Sequence, residues 1–170
     1  MNKKSQLYIF TAIILIVIAF GIAQSRIPKE APKLSLFDQL YSNFATEAPI
    51  MINEALQQQQ NVTLAFVEYA QAFKSYAKTR DPQFGFSYVL FTDDEILIQN
   101  FLGRSLIAQY DQAYTLQDSI PLILPKKKDQ IRFTIDGASY DFQSILHVAS
   151  VSGVFISEKG NDINVQVLRP

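Results

Sequence analysis

Apolar and polar positions divide the chain into three regimes. Residues 7–23, LYIFTAIILIVIAFGIA, carry no charge, and their polar side-chain groups are Thr11 and the Tyr8 hydroxyl. As a helix rising about 1.5 Å per residue, this run covers about 25 Å, and Gln6 and Gln24 bring it close to a bilayer span. Its many Ile residues suit lipid, where a backbone polar group finds its partner inside the helix itself. The pattern predicts a short basic leader or cytoplasmic tail over 1–5, a transmembrane helix over 6–24 and a spacer over 25–33. Pro28 and Pro32 push that spacer towards extended geometry. A separate unit is expected over 34–170.

In the second regime apolar residues recur every three or four positions. Ser35 with Asp38 reads as a helix start, and Leu36, Phe37, Leu40, Tyr41 and Phe44 form one stripe. Pro49 is expected to end or restart that helix, with Ile50, Met51, Ile52 and Leu56 in a second piece closed by the glutamines at 57–60. A further helix is predicted over 63–78. Its stripe of Phe66, Tyr69, Phe73 and Tyr76 reads as a core face against a sheet rather than a ligand-stacking face.

After Pro82 the sequence turns to strands and turns. Strands are predicted over 84–91, 96–102, 105–110, 130–135 and 139–142, with Asp136-Gly137 as a two-residue hairpin turn. A second hairpin is predicted from 153–157 and 163–168. Helices first and antiparallel strands after give an α+β fold class: a single N-terminal transmembrane helix, then two or three amphipathic helices packed on an antiparallel β-sheet.

Composition narrows the chemistry. Fifteen Lys and Arg against sixteen Asp and Glu leave a formal charge of -1, which argues against a nucleic-acid surface. The absence of Cys excludes disulfides, thiolate metal sites and a cysteine nucleophile, and a single His excludes a site built on two imidazoles. Flanking charge does not decide orientation by itself, since Lys3 and Lys4 precede the apolar run while Arg26, Lys29 and Lys33 follow it. The short tail is placed inside because it holds no folded domain.

Little else points to catalysis. His147 lies near Ser144, Ser150 and Ser152, but no nucleophile elbow is present, and the histidine reads as a partly buried structural residue on an alternating strand. Asp93-Asp94-Glu95 lacks the alternating ligands and turn glycine of a calcium loop and reads as a solvated turn. Lys126-Lys127-Lys128 reads as an exposed loop. Asn61-Val62-Thr63 is an N-glycosylation sequon, with Asn61 the candidate acceptor; Asn61 or Thr63 equally suits a helix cap. No cofactor and no metal site is expected.

The first residues allow three readings: an uncleaved anchor, a secretory signal cut after Gly21-Ile22-Ala23, or a third that comes from resemblance. Lys3-Lys4-Ser5-Gln6 followed at once by the apolar run resembles the class III signal of archaeal type IV pilin-like proteins. In that family a prepilin peptidase cuts just before the hydrophobic stretch. The resemblance implies cleavage between Ser5 and Gln6, with the helix retained. Phe10 then stands where bacterial pilins carry a Glu that pairs with the neighbouring subunit. The layout of leader, span, paired helices and a strand-rich domain containing Asn100-Phe101-Leu102-Gly103 is similar to small membrane-anchored surface proteins of archaea. The expectation is a single-pass cell-membrane protein, not an enzyme, with its C-terminal domain outside the cytoplasm and a pilin-like or accessory structural role. Its partners would be the lipid bilayer and other membrane or pilin-like subunits met through the N-terminal helix, with no nucleic acid. The alternative is an anchored extracytoplasmic module that binds a peptide, glycan or envelope component.

Overall fold

The computed structural model describes residues 35–145, 147–160 and 162–170, which belong to one compact unit. The leader, the Ser5–Gln6 junction, the predicted span and the spacer lie outside the described residues. Among the described residues no helix is long and apolar enough to cross a membrane.

Two helices open this unit. α1 (Leu36–Gln57) starts on a capping box: the Ser35 hydroxyl accepts from the Asp38 N–H at 3.1 Å, and the Asp38 carboxylate accepts from the Ser35 N–H at 3.2 Å. Pro49 does not end it. The missing N–H costs the Ala45 carbonyl its helical bond. Pro49 lies on the exposed side, however, and the core residues Phe44, Ala48, Ile52 and Ala55 hold the helix on both sides of it. The expected second piece is therefore part of α1, and of its apolar residues Ile50 and Leu56 face solvent.

The helix stops in a Schellman motif. Gln60 N–H donates to Ala55 O at 2.9 Å and Gln59 N–H to Leu56 O at 3.1 Å, with Gln59 at φ 55°. α2 (Val62–Arg80) follows at once. It buries Phe66 and Phe73 as expected, whereas Tyr76 stays exposed.

Among the described residues nine strands follow: β1 (Phe84–Phe91), β2 (Glu95–Asn100), β3 (Leu106–Gln109), β4 (Ala113–Leu116), β5 (Leu122–Pro125), β6 (Gln130–Ile135), β7 (Ala138–Gln143), β8 (Ser150–Lys159) and β9 (Asp162–Leu168). The sequence predicts one antiparallel sheet beneath the helices; the described residues form two. One runs β5-β2-β1-β8-β9 and the other β4-β3-β6-β7, and every strand pairing in both is antiparallel.

The reason lies in β1, β2 and β8, which have no polar face. All of β1 and nearly all of β2 and β8 are buried, and a strand apolar on both faces needs cover on both. The helices cover one face. Phe84, Phe86, Tyr88, Leu97 and Phe155 meet Phe37, Phe44, Phe66 and Phe73 there. The second sheet covers the other face, where Val89, Ile96, Ile98, Val154 and Ile156 meet Leu106, Ile131, Phe133 and Ile135. The order of layers is helices, central sheet, outer sheet.

Local chemistry fixes the joints. Asp136 and Gly137, at φ 48° and 82°, make the β6–β7 turn, a conformation glycine adopts without strain. The block at 100–103 is the corner where the chain leaves the central sheet. There the Asn100 amide donates to Arg104 O at 2.7 Å and to Leu116 O at 3.3 Å, and its oxygen accepts from Leu102 N–H at 3.0 Å.

Candidate functional site

Three surface connections converge on one cleft of about 670 Å³. The first wall is the α1–α2 corner. Asn61 caps α2, its side-chain oxygen accepting from the Leu64 N–H at 2.9 Å. Thr63, two residues on, is buried and donates its hydroxyl to the Glu95 carboxylate at 2.5 Å. The sequon thus also begins α2, Asn61 serving as the cap that its residues allow.

The second wall is the β1–β2 connection over 92–95. The Thr92 hydroxyl accepts from the Glu95 N–H at 3.1 Å and donates to the Glu95 carbonyl at 2.9 Å. The Lys126 N–H is bonded to Asp94 O at 2.8 Å. Asp93 and Asp94 are left with their side chains exposed. The predicted solvated turn holds for Asp93 and Asp94, which form the acidic rim of the cleft, whereas Glu95 is half-buried at the start of β2 and accepts from Thr63.

The third wall is formed by His147, Val148 and Ala149. His147 is not on a strand: it occupies an exposed turn at φ 58°. The prediction of a partly buried strand residue fails because β7 ends at Gln143 and β8 begins only at Ser150. Asn53, Val148 and Ala149 continue into a smaller groove of about 300 Å³ with Ala45, Pro49 and Ile52, so one end of the depression is acidic and the other apolar.

The three serines near His147 in sequence are engaged or buried elsewhere. The Ser144 hydroxyl donates to Asp129 at 2.7 Å, while the Ser150 and Ser152 hydroxyls are buried in the face of β8 towards the outer sheet. Among the described residues no three His, Asp or Glu side chains are placed to hold a metal ion together. The Lys126–Lys128 segment is a pinned loop. The Tyr110 hydroxyl accepts from the Lys127 and Lys128 N–H groups at 2.5 and 2.6 Å, and Lys126 and Lys127 pair with Asp129 and Asp111.

A polar cluster that the sequence did not disclose links α2 to the central sheet. The Tyr88 hydroxyl donates to Gln99 Oε1 at 2.7 Å, and Gln99 Nε2 donates to Ser119 O at 2.8 Å. Lys74 Nζ donates to Ser119 Oγ at 2.5 Å and to Asp118 at 3.1 Å, and lies 4.8 Å from the centre of the Phe101 ring. Burial pushes the Tyr88 phenol far above its ordinary value, keeping it a neutral donor. Burial also opposes ionisation of Asp118. The hydrogen bonds from Ser119, Lys74 and the Gly103 N–H outweigh it and hold the carboxyl below its usual range. These residues come from four separate stretches of chain. The one local hint is Gln99, a polar residue inside the apolar run of β2.

The geometry therefore offers an open cleft, acidic at one end and apolar at the other, and a set of polar side chains committed to caps, turns and latches. Compared with known proteins, the chain matches no family model, no curated protein and no solved structure.

Proposed function

We propose that this chain is a membrane-anchored, pilin-like or accessory surface protein with a structural role. The observation that carries the reading is the charge-free run over 7–23 behind Lys3 and Lys4. The α+β unit would then face outward and supply contacts to neighbouring subunits or the envelope. The commitment of Asn61, Glu95, Ser144 and Lys74 to structural bonds supports a role without catalysis.

Intact-protein mass spectrometry on native membranes tests it. A mature chain starting at Gln6 is the expected result. A chain starting at Met1 in the membrane fraction removes the pilin-like part and leaves a plain anchor. Recovery from the soluble fraction overturns the whole reading.

The cleft favours a second reading, an anchored binding module. Exposed carboxylates of Asp93 and Asp94 at one end and Pro49, Ile52 and Val148 at the other suit an extended ligand with a cationic end and an apolar body. Titration with lysine-containing and neutral peptides, followed by amide chemical shifts at Thr92, Asp94 and Ala149, tests it. Shifts with the cationic peptides that weaken in Asp93→Asn/Asp94→Asn support the module, and unmoved resonances exclude it.

A further inference from the structure

We propose that the free edge of β9 pairs antiparallel with β9 of a second copy of this chain, about a two-fold axis through Val165, joining two central sheets into one. β9 ends the order β5-β2-β1-β8-β9, and among the described residues no strand lies on its outer side. The pair Lys159–Asp162 closes the β8–β9 hairpin through a two-residue connection. In such a hairpin the closing pair is hydrogen-bonded and bonding alternates from there. Asp162, Asn164, Gln166 and Leu168 are thus bonded to β8, and Ile163, Val165 and Val167 aim their N–H and C=O groups outward. Among the described residues, the one bond to those outward groups is a 3.5 Å contact from the Tyr41 hydroxyl to Val167 O.

Sheet edges are ordinarily blunted by shortness, proline or charge. β5, at the opposite edge, has all three: four residues, Pro125 at its end and three lysines behind it. β9 has seven residues with no charge between Asp162 and Arg169, and it exposes Ile163 and Val165.

The occupant is a second copy because the strand nearly mirrors itself. Antiparallel pairing centred on Val165 sets Val165 against Val165, Ile163 against Val167 and Asn164 against Gln166. The residues in hydrogen-bonded register across the axis are those whose backbone groups already point outward. No like charges oppose each other, and Asp162 comes opposite Leu168 of the second copy, one step from its Arg169. The pairing also supplies a missing bond. Gln166 donates to Asp38 at 2.7 Å, but its Oε1 is buried without a partner. The Asn164 amide of the second copy arrives on the same face, directly opposite.

The test uses the full chain in detergent micelles, with mass measured by light scattering across a dilution series. The wild type is expected to dimerise. Val165→Lys, which places two ammonium groups at the axis, is expected to weaken the dimer at least tenfold with an unchanged far-ultraviolet circular dichroism spectrum. The chain lacks cysteine, so single substitutions report register. Val165→Cys should oxidise to a covalent dimer. Ile163→Cys should not, because its two copies sit four residues out of register, roughly 13 Å apart and beyond disulfide reach.

A monomeric wild type, a Val165→Lys dimer as tight as wild type, or equal crosslinking at 163 and 165 overturns the proposal. A dimer held by the N-terminal apolar segment gives the second of these results. The outcome is independent of whether the leader is cleaved.

Discussion

The two faces of the central sheet are packed with different materials. Towards the helices the core is built of rings. Phe44 alone has six aromatic neighbours at centroid distances of 5.0–6.5 Å: Phe66, Tyr69, Phe73, Phe86, Tyr88 and Phe155. Towards the outer sheet it is built mainly of branched aliphatics, with one ring pair, Phe133 and Phe142 at 5.1 Å, among the described residues. Two sheets meet as pleated surfaces that many small side chains fill evenly. A pair of helices leaves uneven gaps over a sheet, and a few large rings span them. Stability is therefore concentrated on the helix side and distributed on the other.

That contrast is open to attack from both sides. The largest effect is expected from Phe44→Ala, which removes a fully buried ring shared by both helices and the sheet and should cost about 4 kcal/mol in urea unfolding. A loss below about 1 kcal/mol would show that the rings do not depend on this hub.

Gly153→Ala comes next. Gly153 lies opposite Tyr88, and an added Cβ would stand 2.6 Å from Ser87 O, a backbone atom that moves only with its strand. The expected loss is about 2 kcal/mol, with a lower thermal midpoint. On the aliphatic side, Ile98→Val should cost only about 1 kcal/mol, since one methylene leaves a core of many similar contacts. A loss equal to that of Phe44→Ala would erase the distinction.

The smallest effect concerns acid. The carboxyl of Asp118 titrates lower in the folded state than in the unfolded chain. Its contribution is therefore complete above the ordinary carboxylate range and disappears as pH falls through the folded-state value. Urea midpoints measured against pH should show a shallower acid decline in Asp118→Asn than in the wild type. An unchanged slope would mean that the Lys74–Asp118 latch adds nothing to holding α2 on the ring-packed face.

Local chemistry made part of this architecture readable in advance. The Ser35–Asp38 capping box, the β1 run and the Asp136-Gly137 turn depend on neighbours within a few residues, and each appears where the sequence put it. The second sheet did not announce itself. β4 and β5 are four-residue strands that bury few side chains, and their identity comes from pairing with β3 and β2. Pro49 misled because a local rule about proline met a helix anchored by the core on both sides.

The cleft was legible only as unrelated fragments. Asn61, Asp93 and His147 lie far apart in sequence, and only the folded chain brings their three connections together. The Tyr88–Gln99–Lys74 cluster was hidden for the same reason.

Strand β1 gives alternate side chains to two separate interiors, Phe86 and Tyr88 to one and Val89 and Phe91 to the other. Neither outer layer can lift away by itself without wetting an entire greasy surface of the strand between them. Unfolding is therefore expected to approach a single cooperative event, in which partly opened forms that would invite proteases or promiscuous sticking are rare. For a domain proposed to work beyond the reach of cytoplasmic chaperones, such all-or-none behaviour is a form of protection written into a single eight-residue strand.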